Sequence, residues 1–201
     1  MRIPIAKESI PFVAVLVVAS IGVGAWRPWA ALVPLGLLAF VLWFFRDPER
    51  SVAAPPGSVL SPADGRIIRV EDARISVFLN VFNVHVCRSP VAGRVRSVVS
   101  TPGRFLAAFK DEASEHNERT TIELEGPGYR VDLVLVAGLI ARRIVPWVTE
   151  GRNVESGERV GIIRFGSRVD LRLPPGSRPT VQIGDRVRGG LTVIARLAGV
   201  D

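Results

Sequence analysis

Lysine is nearly missing from this sequence: of 26 basic residues, only Lys7 and Lys110 are not arginine. No lysine follows Lys110, which argues against a swinging-arm carrier, since such domains need one at an exposed hairpin tip. Cys87 is the single cysteine, so no internal disulfide can form and a reducing compartment fits. Paired cysteines, H-x-x-H and H-E-x-x-H are all absent, and no metal site is expected. There is no G-x-S-x-G nucleophile elbow, no phosphate-binding P-loop and no dinucleotide fingerprint. Aromatics are few after the first fifty residues and are not interleaved with arginine as in single-strand nucleic-acid binders. Nucleic acid is therefore not an expected partner.

What is present begins with charge and hydropathy. The formal net charge is +7 and the apolar fraction 48%, with a mean hydropathy of +0.30. A basic balance of this kind suits an anionic membrane surface, and arginine's planar fork suits carboxylate and phosphate. The apolar excess sits at the N-terminus. Ile10 to Trp26, "IPFVAVLVVASIGVGAW", and Trp29 to Phe45, "WAALVPLGLLAFVLWFF", carry no charge and are separated only by Arg27-Pro28. Each would measure roughly 26 Å as a helix, slightly short of the roughly 30 Å hydrocarbon core of a bilayer. A tight helical hairpin over residues 1–50 is expected, spanning or monotopic. Trp26, Trp29 and Trp43 suit the membrane interface. Arg2 and Lys7 before the hairpin and Arg46 and Arg50 after it put both ends on the cytoplasmic side of the cell membrane.

The linker "SVAAPPGS" (Ser51 to Ser58) leads into residues 51–201, read as one β-rich domain, all-β or α+β. Expected strands are Arg66–Val70, Arg74–Leu79, Gly93–Val99, Thr120–Glu125, Tyr129–Val136, Arg159–Phe165, Arg168–Leu173, Thr180–Ile183 and Thr192–Leu197. One short helix is expected near Leu106–Glu115. "VESGERVG" (Val154 to Gly161) and "VQIGDRVRGG" (Val181 to Gly190) share V-x-x-G-[DE]-R-V. With "VLSPADGRIIRV" (Val59 to Val70) they are similar to the hairpins of lipoyl and biotinyl domains.

The residues able to do chemistry are few and scattered. Asp64 lies in a D-G turn, and His85 in a strand-like stretch, where its titration range makes it the best general base by type. His116 reads as a solvated loop residue. Gly166-Ser167 interrupts an otherwise good strand pattern, as a bulge or a close backbone approach would. An Asp, a His and a Ser beside a membrane hairpin permit nucleophilic chemistry near a bilayer.

Six segments in order carry a resemblance: "FFRDPER" (Phe44 to Arg50), "VLSPADGRI" (Val59 to Ile67), "FLNVFNVHVCRSPVAGRV" (Phe78 to Val95), "FKDEASEHNERT" (Phe109 to Thr120), "VAGLIARRIV" (Val136 to Val145) and "VGIIRFGSRVDLRLP" (Val160 to Pro174). Together they resemble the short bacterial and archaeal form of the phosphatidylserine decarboxylases. The resemblance implies a proenzyme that cuts itself between Gly166 and Ser167 into a large chain, 1–166, and a small one, 167–201. These stay together as a heterodimer, with or without further oligomerisation. Ser167 becomes a covalent pyruvoyl group, which replaces pyridoxal phosphate in decarboxylating phosphatidylserine to phosphatidylethanolamine without metal. His85 is the implied base and Asp64 its orienting carboxylate, as in serine triads. Arg88, Arg119 and Arg142 are candidates for the lipid phosphate or carboxylate. Two features depart from long-form members. Phe165-Gly166-Ser167-Arg168 stands where they carry L-G-S-T, and Arg88 stands where they carry a second histidine. Two other readings remain open: a membrane-tethered lipoyl-like adaptor without catalysis, and a serine hydrolase using an uncut Ser167.

Overall fold

The computed structural model describes residues 4–71, 73–104, 116–138, 143–164 and 167–199. The expected helix at Leu106–Glu115 lies outside them. The chain divides into two compact units, Met1–Glu49 and Arg50–Asp201.

The first unit is a helical hairpin. Helix α1 (Ile10–Trp26) starts with Pro11 in its first turn, where a missing N–H costs nothing, and α2 (Leu32–Phe44) returns after a short 3-10 turn, Pro28–Ala31. Its base is closed by backbone: Ala6 N donates to Phe45 O at 2.8 Å and Asp47 N to Pro4 O at 2.7 Å. Phe12 stacks on Phe45, and the Arg46 guanidinium sits 4.2 Å from the Trp43 ring centroid. No residue of α1 is buried, and large apolar side chains such as Val15, Val18, Ile21, Leu32 and Val33 point outward. With its preceding turn, Lys7–Trp26 is 20 residues long, enough for the roughly 30 Å of a bilayer core.

The second unit is β-rich, as expected. Its largest sheet is antiparallel and eight-stranded, in the spatial order β13 (Arg186–Val187), β2 (Gly65–Glu71), β3 (Arg74–Leu79), β11 (Ser167–Arg172), β7 (Tyr129–Ala137), β6 (Arg119–Gly126), β5 (Gly93–Thr101) and β9 (Asn153–Val154). Two three-stranded sheets flank it. One is β1 (Ser58–Leu60), β14 (Val193–Arg196) and β12 (Arg178–Pro179); the other is β4 (Val86–Arg88), β10 (Arg159–Arg164) and β8 (Arg143–Pro146). Alternation builds the core. Ile75, Val77 and Leu79 of β3, Val131, Leu133 and Leu135 of β7, and Val169 and Leu171 of β11 face one side, as the period of two requires.

The shared V-x-x-G-[DE]-R-V motif is one turn used twice. Its glycines, Gly157 and Gly184, have φ of 76° and 99°, which a side chain rarely tolerates. In both copies the acidic side chain accepts from the backbone three residues earlier: Glu155 N to Glu158 Oε2 at 2.9 Å, and Gln182 N to Asp185 Oδ2 at 2.8 Å. That closure explains a departure from expectation. Thr180–Ile183 is not a strand, because the turn takes Gln182 and Ile183.

In the middle of the large sheet, Asp132 of β7 sits opposite Glu123 of β6 and Arg172 of β11. Burial, then the charge of Glu123, raises the Asp132 pKa, while Arg172 and Arg130 oppose the rise. A raised carboxyl pKa means that ionisation costs stability. The cost is absent below the ordinary value near ~3.9 and grows as pH climbs through the raised one. Asp132→Asn is expected to raise unfolding stability at pH 7 by about 0.5 kcal/mol, a gain that vanishes toward pH 4. Denaturation of both proteins across that range checks it.

Candidate active site

The two runs that flank Gly166-Ser167 belong to different sheets. Strand β10 ends at Arg164 in the β4-β10-β8 sheet, and β11 begins at Ser167 in the centre of the large one. The interruption in the strand pattern is therefore a passage between sheets; Gly166 itself lies outside the described residues. Ser167 pairs with Leu79 on one side and Ala137 on the other. Its side chain is fully buried and its Oγ has no hydrogen-bond partner among the described residues. A buried hydroxyl left unpaired costs on the order of 1–3 kcal/mol, so a folded protein that keeps one calls for an explanation.

His85 lies at the same corner. Its carbonyl accepts from Ile163 N at 3.2 Å, four residues before Ser167, and its ring is fully buried. Ring Nδ1 is 2.9 Å from the Asn83 carbonyl oxygen. That oxygen can only accept, so Nδ1 holds a proton. The backbone thus fills the position that a carboxylate occupies in a serine triad.

Asp64, in the turn before β2, is engaged elsewhere. Its Oδ1 accepts from Arg50 Nη1 at 2.6 Å and from Gly189 N at 2.8 Å, and its Oδ2 from Arg50 Nη2 at 2.9 Å. Arg50 Nη1 also donates to the Gly189 carbonyl. The Asp64 charge nevertheless reaches this neighbourhood. Burial first and Asp64 second push the Cys87 thiol far up, and that thiol donates to the His85 carbonyl at 3.7 Å. Cys87 stays protonated and is no nucleophile.

The other sequence candidates are more dispersed. Arg88, buried in β4, donates from Nη1 to the Gly157 carbonyl at 2.9 Å. Arg119 opens β6, opposite Val136, and is half-buried. Arg142 lies outside the described residues. His116 is exposed, as expected, but helical rather than in a loop. Three participants were not singled out from sequence. Arg50 holds Asp64, the Asn83 carbonyl holds His85, and Asn117 donates from Nδ2 to Ala137 O at 2.7 Å beside Ser167. Backbone acceptors leave no mark in a sequence, and Arg50 and Asn117 stood unread within two of the quoted segments.

Comparison with known proteins now bears on this corner. The family model described as phosphatidylserine decarboxylase matches residues 37–74 and 70–195. A protein of Desulfotalea psychrophila is 43% identical over 98% of both chains. One of Azorhizobium caulinodans is 44% identical over 96% of this chain and 89% of its own. One of Burkholderia mallei is 46% identical over 96% of this chain and 95% of its own. All three are named phosphatidylserine decarboxylase proenzyme. The chain belongs to the phosphatidylserine decarboxylase family. It is accordingly an enzyme, a decarboxylase, which sets aside the non-catalytic adaptor. All three relatives carry the word proenzyme in their names.

The Arg50–Asp64 pair is largely out of water, with side chains 8% and 15% exposed. Removing one member of such a pair strands the other charge. Arg50→Met should therefore cost about 3 kcal/mol, and Asp64→Asn in the same chain should recover part of it. A double-mutant cycle by chemical denaturation reads this; equal losses in single and double variants would contradict it.

Proposed function

We propose that the protein is a self-cleaving proenzyme that decarboxylates phosphatidylserine to phosphatidylethanolamine, using a pyruvoyl group made from Ser167. The observation that carries this reading is the buried Ser167 Oγ, without a partner among the described residues, at the passage between two sheets. Gly166 supports it by type, because a residue without Cβ leaves its carbonyl open to attack.

The steps balance on the chain's own atoms. His85 Nε2 takes the Ser167 hydroxyl proton, and Oγ attacks the Gly166 carbonyl carbon. The C–N bond breaks, and the imidazolium returns its proton to the departing nitrogen. An ester now joins Gly166 to Ser167 Oγ. Loss of the Ser167 α-proton expels Gly166 as a carboxylate, and water then displaces ammonia to leave the ketone. Conversion also removes the O–H donor that has no partner among the described residues. A pyruvoyl group at position 167 would supply the electron sink that decarboxylation of the serine headgroup needs. The His85 imidazole is the proposed donor of the proton that the decarboxylated carbon takes up. The Asn83 carbonyl fixes the ring, and Asp64, held by Arg50, secures the turn before β2.

The cut need not release the small chain. Strand β11 is paired along its whole length with β3 and β7, while β13 pairs with β2 and β14 with β1. A heterodimer of the two chains is proposed. The apolar hairpin supports a place in the cell membrane, where a two-chain lipid is found, and the flanking arginines favour the cytoplasmic side.

Intact-mass spectrometry of the full-length protein is expected to give two chains divided between Gly166 and Ser167, the small one lighter by one ammonia than hydrolysis alone would leave it. Ser167→Ala should remain whole and release no carbon dioxide from phosphatidylserine vesicles. His85→Ala should slow cleavage by about a hundredfold or more. A wild-type chain that stays whole while releasing carbon dioxide would sink the pyruvoyl mechanism.

A further inference from the structure

We infer that a second element of the site is a phosphodiester pocket built by Arg66, Arg186 and Arg188, which holds the phosphate of the lipid headgroup beside the Ser167–His85 corner. This rests on the lipid-decarboxylase reading above and adds to it a headgroup site that neither Arg88 nor Arg119 lines. The pocket is a cavity of about 560 Å³ whose lining includes these three arginines with Asp64, Phe78 and Phe82.

Three observations converge on an anion. The first is register. Arg66 of β2 and Arg186 of β13 are direct cross-strand partners, and like charges placed directly opposite destabilise a sheet. Two exposed guanidiniums held in that relation are relieved by an anion between them. The second is charge balance. Asp64 is the one carboxylate in the lining, and Arg50 grips both its oxygens. It therefore does little to neutralise the three arginines, none of which has an ion-pair or side-chain hydrogen-bond partner among the described residues.

The third is position. Phe78, in the lining, pairs with Arg66 on one side and with Arg168, the neighbour of Ser167, on the other. Asn83, also in the lining, holds the His85 ring through its carbonyl. A closed turn joins the pocket lining to His85: Asn80 N donates to Asn83 Oδ1 and Phe82 N to Asn80 Oδ1, both at 2.9 Å. That turn presents Phe82 with 68% of its surface exposed, an apolar contact suited to the glycerol and acyl end of a lipid. Gly65 lets β2 approach β3 closely at the pocket wall, because a Cβ there would collide with the Phe78 carbonyl. Guanidinium is the group of choice for a phosphodiester, giving paired charge-assisted bonds.

The test uses the full-length, self-processed protein in detergent micelles. The probe is glycerophosphoethanolamine, which carries the phosphodiester, has no acyl chains and is not decarboxylated. Wild type should bind it by titration calorimetry, and Arg66→Gln/Arg186→Gln should bind about tenfold more weakly. With monomeric short-chain phosphatidylserine the same variant should raise KM about tenfold with kcat little changed. Its melting temperature should not fall, since a repulsion is removed. Arg188→Gln, outside the strand ladder, should shift binding in the same direction and serves as the readout if the double variant misfolds. Arg186→Lys should restore part of the affinity.

Equal binding by wild type and variants overturns the pocket, as does a wild type that binds no probe. A KM that rises only on vesicles, and not with the monomeric lipid, also overturns it, because the arginines would then meet the bilayer rather than the substrate. A wild type that binds through these arginines yet releases no carbon dioxide fails the lipid-decarboxylase reading and leaves the pocket standing.

Discussion

Strand β11 is hydrogen-bonded on both edges, to β3 and to β7, through six consecutive residues on each side. The chemistry depends on that double pairing. A strand at a sheet edge could slide or fray, whereas a central strand is set in register by two ladders. Its first residue, Ser167, is thereby fixed in the interior with no partner for its hydroxyl among the described residues. The preceding strand, β10, belongs to another sheet, so the Gly166–Ser167 peptide joins two independently anchored pieces. The same ladders would hold the fragment after a cut. Elsewhere on β11, Arg168 is fully buried, donating from Nε to Asp170 Oδ1 at 2.6 Å and from Nη2 to Ser76 Oγ at 3.3 Å. Asp170 also accepts from Arg74 at 2.9 Å. Buried charges hold only when paired and hydrogen-bonded, and this group ties β11 to β3 on the face away from the apolar core.

The arginines divide by partner. Arg50, Arg74 and Arg168 have carboxylates in buried or half-buried settings. Arg96 and Arg130 lie in an exposed ladder with Glu123 and Glu125, where screening leaves each pair worth little. Arg66, Arg186 and Arg188 gather around one cavity. Part of the net charge of +7 is thus gathered around that one cavity.

In the first unit, exposure of one apolar side chain after another on α1 and α2 would be expensive in water at roughly 25 cal/mol per Å². A bilayer removes that cost. Tryptophans at the turn and near the base, with Arg27 and Arg46 over their rings, suit the boundary between hydrocarbon and headgroups.

Much of this protein is local and was legible as such. The strand Arg74–Leu79 has the bounds that its alternation implies, the repeated glycine-acid turn closes the same way twice, and the uncharged runs form the helical pair. Side-chain period and turn chemistry act over a few residues, so a sequence states them directly. Short strands such as Asn153–Val154 and Arg186–Val187 were not legible, because two residues carry no period and exist only through their partners. The same holds for the site. His, Asp and Ser could be named as reactive types, but what each one touches could not. That Asn83 holds His85, that Arg50 rather than His85 grips Asp64, and that Arg66 stands opposite Arg186 are outcomes of long-range register. The amino-acid sequence determined the elements and the reactive groups. Tertiary structure alone decided their partners, because those contacts join residues far apart in the chain and form only when the sheets close.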